Sequence, residues 1–179
     1  MQDNAYPTLQ SFVTEILDVK KGWRLLELAE AMDHSRDPSY YERCLERVAE
    51  RTMIVLIAVD MESGRDAGYC LLNYSAKYAP FRKLGIPEIQ DLNVLPEFRR
   101  RGAGRGLIVA AERLAASEGH EEIGIGVGLD SSFGAAQRLY VKMGYVPDGL
   151  GVTYDRKFMN VGDVHPLDEQ FSLMMVKSL

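Results

Sequence analysis

Four arginines and three glycines lie close together where a predicted strand runs into a predicted helix. From Val94 to Leu107 the sequence reads VLPEFRRRGAGRGL. The first N–H groups of a helix have no partner inside the helix and carry the positive end of its dipole, so they attract anions. Glycine lets a phosphate approach the backbone, and arginine adds positive charge. The pattern predicts a phosphate-binding turn formed by Arg99, Arg100, Arg101, Gly102, Ala103, Gly104 and Arg105.

Two common phosphate-binding motifs do not fit this turn. A Walker loop requires GxxxxGK[ST], but no Lys-Ser or Lys-Thr pair follows Gly106. The dinucleotide fingerprint GxGxxG requires a third glycine where Leu107 stands. A solvated basic turn is the simple alternative, but arginines this close together repel one another unless an anion is present.

The same turn is one of two segments that resemble a known family. Arg99-x-x-Gly102-x-Gly104 resembles the acetyl-CoA signature [RQ]xxGx[GA] of the GCN5-related N-acetyltransferases, the GNAT family. From Ala136 to Tyr145 the sequence reads AQRLYVKMGY, which resembles that family's later helix, A-x-x-L-Y-x-K-x-G-[FY]. The two segments occur in the family's order, separated by a predicted helix and a predicted strand.

The resemblance implies a fold and an activity. The implied fold is α/β, with a mixed, largely antiparallel sheet of six to seven strands flanked by helices, in a single domain over residues 1–179. The implied activity transfers an acetyl group from acetyl-CoA, as co-substrate and without a metal, to the amine of a small molecule or peptide. The coenzyme pyrophosphate would lie on the arginine-rich turn and the thioester beside the backbone of Leu92 and Val94. Tyr140 would lie near the sulfur as proton donor.

The general base is open at this stage. Family members that use a carboxylate often carry Glu at the position of Gln90, whose amide cannot accept a proton. Asp91 is adjacent, but neighbouring side chains of a regular strand point to opposite faces. A β-bulge could turn Asp91 towards the site, so Asp91 is the candidate. Phe133 stands where the family often has an Asn that contacts the cofactor.

Three glycines leave one face of a predicted strand without side chains. Gly124, Gly126 and Gly128 alternate with isoleucine and valine. Glycine inside a strand often marks the close approach of a ligand or of another part of the chain. Space for the pantetheine arm or acyl group, and a closely packed helix, are both open interpretations.

Further along the chain, two groups of residues have alternative interpretations. An acidic C-terminal region would suit a cationic acceptor or simply face solvent; it contains Asp148, Asp155, Asp163, Asp168 and Glu169. Three aromatic residues would line the acceptor pocket or form a local apolar cluster; they are Tyr74, Tyr78 and Phe81.

The elements that would position these residues follow from periodicity and turn signals. Strands are predicted over residues 12–19, 53–60, 66–74, 88–95, 123–129, 151–154 and 171–177. Helices are predicted over residues 23–33, 38–51, 104–117 and 135–143, and a loop over 79–87. Strands with interspersed helices are typical of an α/β layered fold.

Composition excludes several classes of function. The 179 residues carry a net charge of −5 with an isoelectric point near 5.3, which argues against nucleic-acid binding. The longest apolar run, Met53–Val59, is too short to cross a membrane, and the first residues lack a secretory signal. A cytoplasmic protein is expected. The sequence does not identify the amine acceptor, and it leaves both a monomer and a homodimer open. A non-catalytic acyl-CoA sensor and a nucleotide-phosphate binder are the alternative functions.

Overall fold

The computed structural model describes residues 11–32 and 38–179, which contain one mixed sheet. Its strands are β1 (Phe12–Ile16), β2 (Met53–Asp60), β3 (Asp66–Asn73), β4 (Glu88–Val94), β5 (Glu122–Gly128), β6 (Val146–Tyr154), β7 (Lys157–Phe158) and β8 (Phe171–Ser178). Their order across the sheet is β1-β2-β3-β4-β5-β8-β6-β7. Only the β4–β5 pair is parallel. The predicted α/β fold with a largely antiparallel sheet is confirmed, with eight strands in the described part rather than six or seven because the two-residue β7 adds one.

Five α-helices accompany the sheet in the same part of the chain. They are α1 (Trp23–Ala31), α2 (Pro38–Ala49), α3 (Ala79–Leu84), α4 (Ala103–Ser117) and α5 (Gly134–Lys142). Nearly every residue of β2 and β3 is buried, so this part of the sheet needs cover on both faces. Helix α4 packs on β1 to β5, while α1 and α2 pack on β3 and β2. None of the described helices is long and apolar enough to span a membrane.

Helix α3 corrects the loop predicted over residues 79–87. Proline and glycine are typical of loops, but Pro80 and Gly85 lie at the two ends of this short helix. Pro80 occupies the first turn, where its missing N–H needs no partner, and Gly85 follows the last residue with φ +69°. Phe81 then points into a buried cluster with Tyr78 and Met174. The aromatic loop residues Tyr78 and Phe81 therefore belong to a local apolar cluster, which was one of the two alternatives.

Candidate functional site

The sheet opens between β4 and β5. The two strands pair over only two positions, where Glu88 and Ile89 face Gly124 and Ile125. Beyond these pairs β4 continues to Val94 beside β3, whereas β5 continues to Gly128 beside β8. The remaining backbone of β4 therefore has an edge that no strand covers.

A β-bulge lies at the start of this opening. Tyr69 faces Asn93 and Leu71 faces Gln90, so β4 contains one residue more than β3 over this interval. Asp91 lies within the bulge with φ +47°. Its side chain and that of Gln90 line the same cavity, although consecutive side chains of a regular strand point to opposite faces. The bulge thus turns Asp91 towards the candidate site, where its carboxylate accepts a 2.5 Å hydrogen bond from the Tyr40 hydroxyl.

The end of β4 directs backbone groups into the opening. Leu95 donates its N–H to the Ala67 oxygen of β3, and successive N–H groups of a strand point to opposite edges. The N–H of Val94 therefore points to the open edge, as does that of Leu92. Arg99 folds back to this edge, where its Nε donates a 2.9 Å hydrogen bond to the Val94 oxygen.

The turn between β4 and α4 leaves backbone donors without partners at the mouth of the opening. Gly102 precedes α4 with φ +104° and supplies no side-chain cap. The first bond within the helix runs from the Gly106 N–H to the Gly102 oxygen, so the N–H groups of Ala103, Gly104 and Arg105 have no partner inside the helix. Ala103 is buried, whereas Gly104 is half-buried and Arg105 is exposed. The combination supplies the kind of backbone donors with which helix N-termini can bind an anion.

The four arginines of this turn do not act together. Arg99, Arg100 and Arg105 are exposed and form no ion pair with the described residues. Arg101 instead pairs with the buried Asp60 at 3.0 Å and lies over the rings of Phe12 and Phe98. We therefore assign Arg101 to packing near β2, although the sequence had grouped it with the phosphate-binding residues.

Helix α5 forms the other wall of the groove beside this turn. A Cβ built on Gly104 would come within 3.7 Å of Val94 and 3.9 Å of Leu139, so Gly104 faces the space between β4 and α5. Tyr140 on α5 is 5% exposed, and its hydroxyl forms no hydrogen bond with any residue that the structure describes. Burial, and to a smaller extent Cys70, raises the pKa of Tyr140. The phenol therefore stays protonated at neutral pH and is able to donate a proton.

Side chains of the protein cover the glycine face of β5. A Cβ on Gly124 would lie 2.1 Å from the Phe81 ring, and a Cβ on Gly128 would lie 2.4 Å from the Phe133 ring. At Gly126 the nearest atoms belong to the guanidinium of Arg156, at 2.9–3.1 Å. Of the two interpretations of these glycines, the structure shows close packing, by single side chains of which Phe81 belongs to helix α3.

The cavity that Gln90 and Asp91 line has a volume of about 530 Å³ and lies on the β3 side of the bulge. It is bounded by α2, by the ends of β3 and β4, and by the β6–β7 turn. Its lining includes four cations and three carboxylates: Arg43, Arg47, Lys77, Arg156, Asp91, Asp155 and Glu169. Two residues of the acidic C-terminal region, Asp155 and Glu169, thus reach the cavity. Asp148, Asp163 and Asp168 do not line it and accept hydrogen bonds from Tyr78, Asn160 and Tyr154 instead.

A buried network connects this cavity to the β6–β7 turn. Glu88 is 0% exposed and accepts hydrogen bonds from Gln90 at 2.9 Å and from Arg156 at 3.0 Å. Burial raises the pKa of the Glu88 carboxyl, while the Arg156 guanidinium opposes that effect. Sequence reasoning missed Glu88 and Arg156 because they are far apart along the chain and carry no motif. It also missed Tyr40, Arg43 and Arg47, whose helical spacing was the available signal.

Comparisons with known proteins identify the family of the chain. Residues 50–147 match the family model described as an acetyltransferase (GNAT) domain. Comparison with curated proteins gives no significant match.

Solved structures share the fold at low identity. The ribosomal-protein-alanine N-acetyltransferase from Brucella melitensis is 18% identical, with a TM-score of 0.66 over 93% of this chain and 99% of that one. The yncA protein from Salmonella typhimurium, solved with its cofactor acetyl-CoA, is 16% identical, with a TM-score of 0.65 over 93% of both chains. The spermidine/spermine N-acetyltransferase SpeG from Vibrio cholerae is 16% identical, with a TM-score of 0.63 over 94% of this chain and 92% of that one.

Proposed function

The chain belongs to the GNAT family of acetyltransferases, and from that premise we propose that it transfers the acetyl group of acetyl-CoA to the amine of a small molecule or peptide. The observation that carries the proposal is the opening between β4 and β5. One side of it holds the uncapped start of α4, and the other side holds the charged cavity. Asp91 lies between them on the bulge.

The coenzyme would bind along the open edge of β4 and the start of α4. Its pyrophosphate would accept hydrogen bonds from the free N–H groups of Ala103, Gly104 and Arg105, with Arg99 and Arg100 adding positive charge. Gly102 permits the left-handed turn that aims these groups outward. The pantetheine arm would run past the backbone of Leu92 and Val94.

The residues around the thioester suit direct transfer to an amine. The amine nitrogen forms a bond to the acetyl carbonyl carbon. The carbonyl oxygen becomes negative and accepts a hydrogen bond from the Val94 N–H. The carbon–sulfur bond then breaks, and Tyr140 gives its proton to the departing thiolate. The amine loses its proton to Asp91, directly or through water. A thiol pKa near 8.5 makes the thiolate a fair leaving group, so the proton from Tyr140 assists without dominating.

Release of the free coenzyme thiol from acetyl-CoA in the presence of an amine panel tests this function. The panel contains free amino acids, short peptides, phosphoethanolamine, cadaverine and spermidine, and calorimetry measures acetyl-CoA binding in parallel. Amine-dependent thiol release supports the proposal. Binding of acetyl-CoA without thiol release for any amine identifies a non-catalytic acyl-CoA sensor instead. Equal affinity for ADP-ribose or ATP identifies a nucleotide-phosphate binder.

Other expectations from the sequence stay predictions alongside this proposal. They are a single domain over residues 1–179, a reaction without a metal, a cytoplasmic location and the open choice between monomer and homodimer.

A further inference from the structure

Helix α2 presents a polar face to the charged cavity. Tyr40, Arg43 and Arg47 are spaced i, i+3 and i+7, which places them on one side of the helix, and all three line the cavity. At 1.5 Å per residue, Arg43 lies about 4.5 Å and Arg47 about 10.5 Å along the helix from Tyr40. Because Tyr40 bonds Asp91 at the bulge, the backbone positions of the two arginines lie beyond this contact along α2.

The other cations of the cavity are neutralised by the protein itself. Lys77 pairs with Asp155 at 2.5 Å. Arg156 pairs with the buried Glu88 at 3.0 Å. The positive charge of each is therefore balanced by a carboxylate of the protein.

Arg43 and Arg47 differ from these cations because they meet only neutral oxygens. Arg43 donates to the hydroxyl of Ser39 at 2.7 Å, and Arg47 donates to the amide oxygen of Asn73 at 2.5 Å. Within residues 11–32 and 38–179 neither guanidinium forms an ion pair. Arg47 is half-buried, so its positive charge lies partly out of water without a counter-ion. Each guanidinium has further N–H donors in a planar fork that fits a carboxylate or a phosphate.

We propose that the acceptor amine also carries an anionic group, a carboxylate or a phosphate, and that Arg43 and Arg47 bind this group while the amine lies beside Asp91. This inference rests on the proposed acetyltransferase function. The opposite signs at the two ends of the cavity fit an amine at one end and an anion at the other. A polyamine, which is positive at both ends, would place a cation against the arginines and be repelled.

The dimensions agree with such an acceptor. The arginine backbones lie about 5–10 Å along α2 from Tyr40, which suits an amine and an anion joined by a few bonds, as in an amino acid, a dipeptide or a phosphorylated amine. The cavity volume of about 530 Å³ lies within the range of about 300–1,000 Å³ that is typical of small-molecule sites.

Paired acceptors test the charge requirement directly. In the first pair, 5-aminopentanoate is compared with cadaverine, which replaces the carboxylate by an amine on the same chain. In the second, the dipeptide Ala-Ala is compared with its C-terminal amide, which lacks the carboxylate, and phosphoethanolamine is the phosphate probe. We expect kcat/KM to be about tenfold or more higher for the anionic member of each pair, as a charge-assisted hydrogen bond would give. The better of the carboxylate and phosphate probes identifies the anion.

Two variants and a control connect the preference to the arginines. The double variant Arg43→Gln/Arg47→Gln should raise the KM for the anionic acceptor about tenfold or more, with the KM for acetyl-CoA unchanged. Arg43→Gln alone removes only the contact with Ser39, so it keeps the test valid if the double variant fails to fold. Arg113→Ala removes an exposed arginine of α4 that is outside the cavity and should leave the preference unchanged.

Three results would overturn the inference, and they are distinguishable. Faster transfer to cadaverine or spermidine than to the anionic probes rejects the anion site but leaves the acetyltransferase function intact. If the folded double variant still prefers the anionic acceptors, residues other than Arg43 and Arg47 bind the anionic group. No thiol release with any amine rejects the acetyltransferase function, and the inference fails with it.

Discussion

The hydroxyl of Tyr40 donates a 2.5 Å hydrogen bond to the carboxylate of Asp91, and this contact joins helix α2 to the bulge in β4. The bulge determines where the carboxylate points, and Tyr40 holds it there. Both features place Asp91 between the opening of the sheet and the charged cavity, where the proposed reaction would require the amine to lose its proton.

Replacing the carboxylate tests this role. Asp91→Asn keeps the size of the side chain and tolerates the φ of +47°, because Asn adopts positive φ more readily than most residues. If Asp91 is the general base, kcat should fall by about 10²- to 10⁴-fold, while the Kd for acetyl-CoA and the melting temperature change little. Tyr40→Phe should lower kcat less, because the carboxylate is retained and only its position is loosened. An unchanged kcat in Asp91→Asn would assign proton removal to water or to another group.

Binding of the coenzyme should depend on Arg99 and Gly104. Arg99→Ala removes an exposed charge at the mouth of the opening, and we expect the Kd for CoA to rise about tenfold or more. Gly104→Val should also weaken binding, because the added methyl groups enter the space between Val94 and Leu139. Calorimetry at two salt concentrations is the measurement, since part of the attraction is exposed and screened by salt. Unchanged affinity in both folded variants would show that the coenzyme binds elsewhere.

The neighbouring Arg101 should instead affect stability. Arg101→Ala leaves the buried Asp60 without its cation and should lower the melting temperature while the Kd for CoA stays unchanged. The pKa of Asp60 lies below its ordinary value of 3.8, mainly because Ser63 donates hydrogen bonds to the carboxylate and to a smaller extent because Arg101 lies beside it. A lowered pKa in the folded state means that ionised Asp60 stabilises the fold above that value and that this contribution is lost as the pH falls further.

The pH dependence of melting is therefore the specific test of Arg101. The difference in melting temperature between wild type and Arg101→Ala should be present at pH 7 and should shrink as the pH falls below 3.8. A difference that is independent of pH would mean that Arg101 acts through its contacts with the rings of Phe12 and Phe98 alone.

Arg99 and Arg101 differ in a way that the sequence alone could not predict. Strand and helix positions followed from periodicity, and the GNAT motifs identified the fold and the turn. Which arginine faces the ligand could not be predicted, because Arg101 is drawn away by Asp60, 41 residues earlier in the chain. Helix α3 was missed because Pro80 and Gly85, which are typical of a loop, also occur at the start and the end of a short helix.

The bulge and the buried network are tertiary features for a similar reason. A bulge at Asp91 depends on how β4 aligns with β3, and no residue type in β4 requires it. Arg156 reaches Glu88 from 68 residues away. Local patterns carry no signal for such pairings, which is why the sequence pointed to Asp155 and Glu169 only as part of an acidic region and did not predict the charged cavity.

Tyr140→Phe separates catalysis from packing. The hydroxyl forms no hydrogen bond within the part of the chain that the structure describes, so its removal should leave the melting temperature and the Kd for acetyl-CoA nearly unchanged. We expect kcat to fall towards the lower end of the range of about 10²- to 10⁴-fold that proton transfer contributes, because the thiolate leaves readily by itself.

The pH profile adds a second readout for Tyr140. Since burial raises its pKa, the phenol keeps its proton beyond the ordinary tyrosine value near 10, and kcat should not decline with its ionisation below that pH. A drop in melting temperature that matches the loss of activity would show that Tyr140 serves packing only.

Gly126→Ala tests whether the glycine face of β5 belongs to the protein or to a ligand. The new Cβ would lie 2.9 Å from Nη2 of Arg156, so the guanidinium must move. It is held there by a 3.0 Å bond to Glu88 and a 3.1 Å bond to Ser172, and its displacement weakens the pairing of a fully buried carboxylate. We expect a loss of about 1–3 kcal/mol, as for other overpacked sites, or about 2–4 °C in melting temperature per kcal/mol.

Melting of the free protein, followed by the shift on adding acetyl-CoA, makes the test decisive. A lowered melting temperature with a normal shift is the expected result, because packing and not ligand space explains the glycine. Gly106→Ala is the matched control, since a Cβ there would meet only the Thr14 hydroxyl at 3.8 Å and alanine favours a helix over glycine. A normal melting temperature in Gly126→Ala with a lost shift would contradict the packing explanation. It would mean that Arg156 moves aside when acetyl-CoA binds, and that the ligand then occupies the face of β5 that the guanidinium covers here.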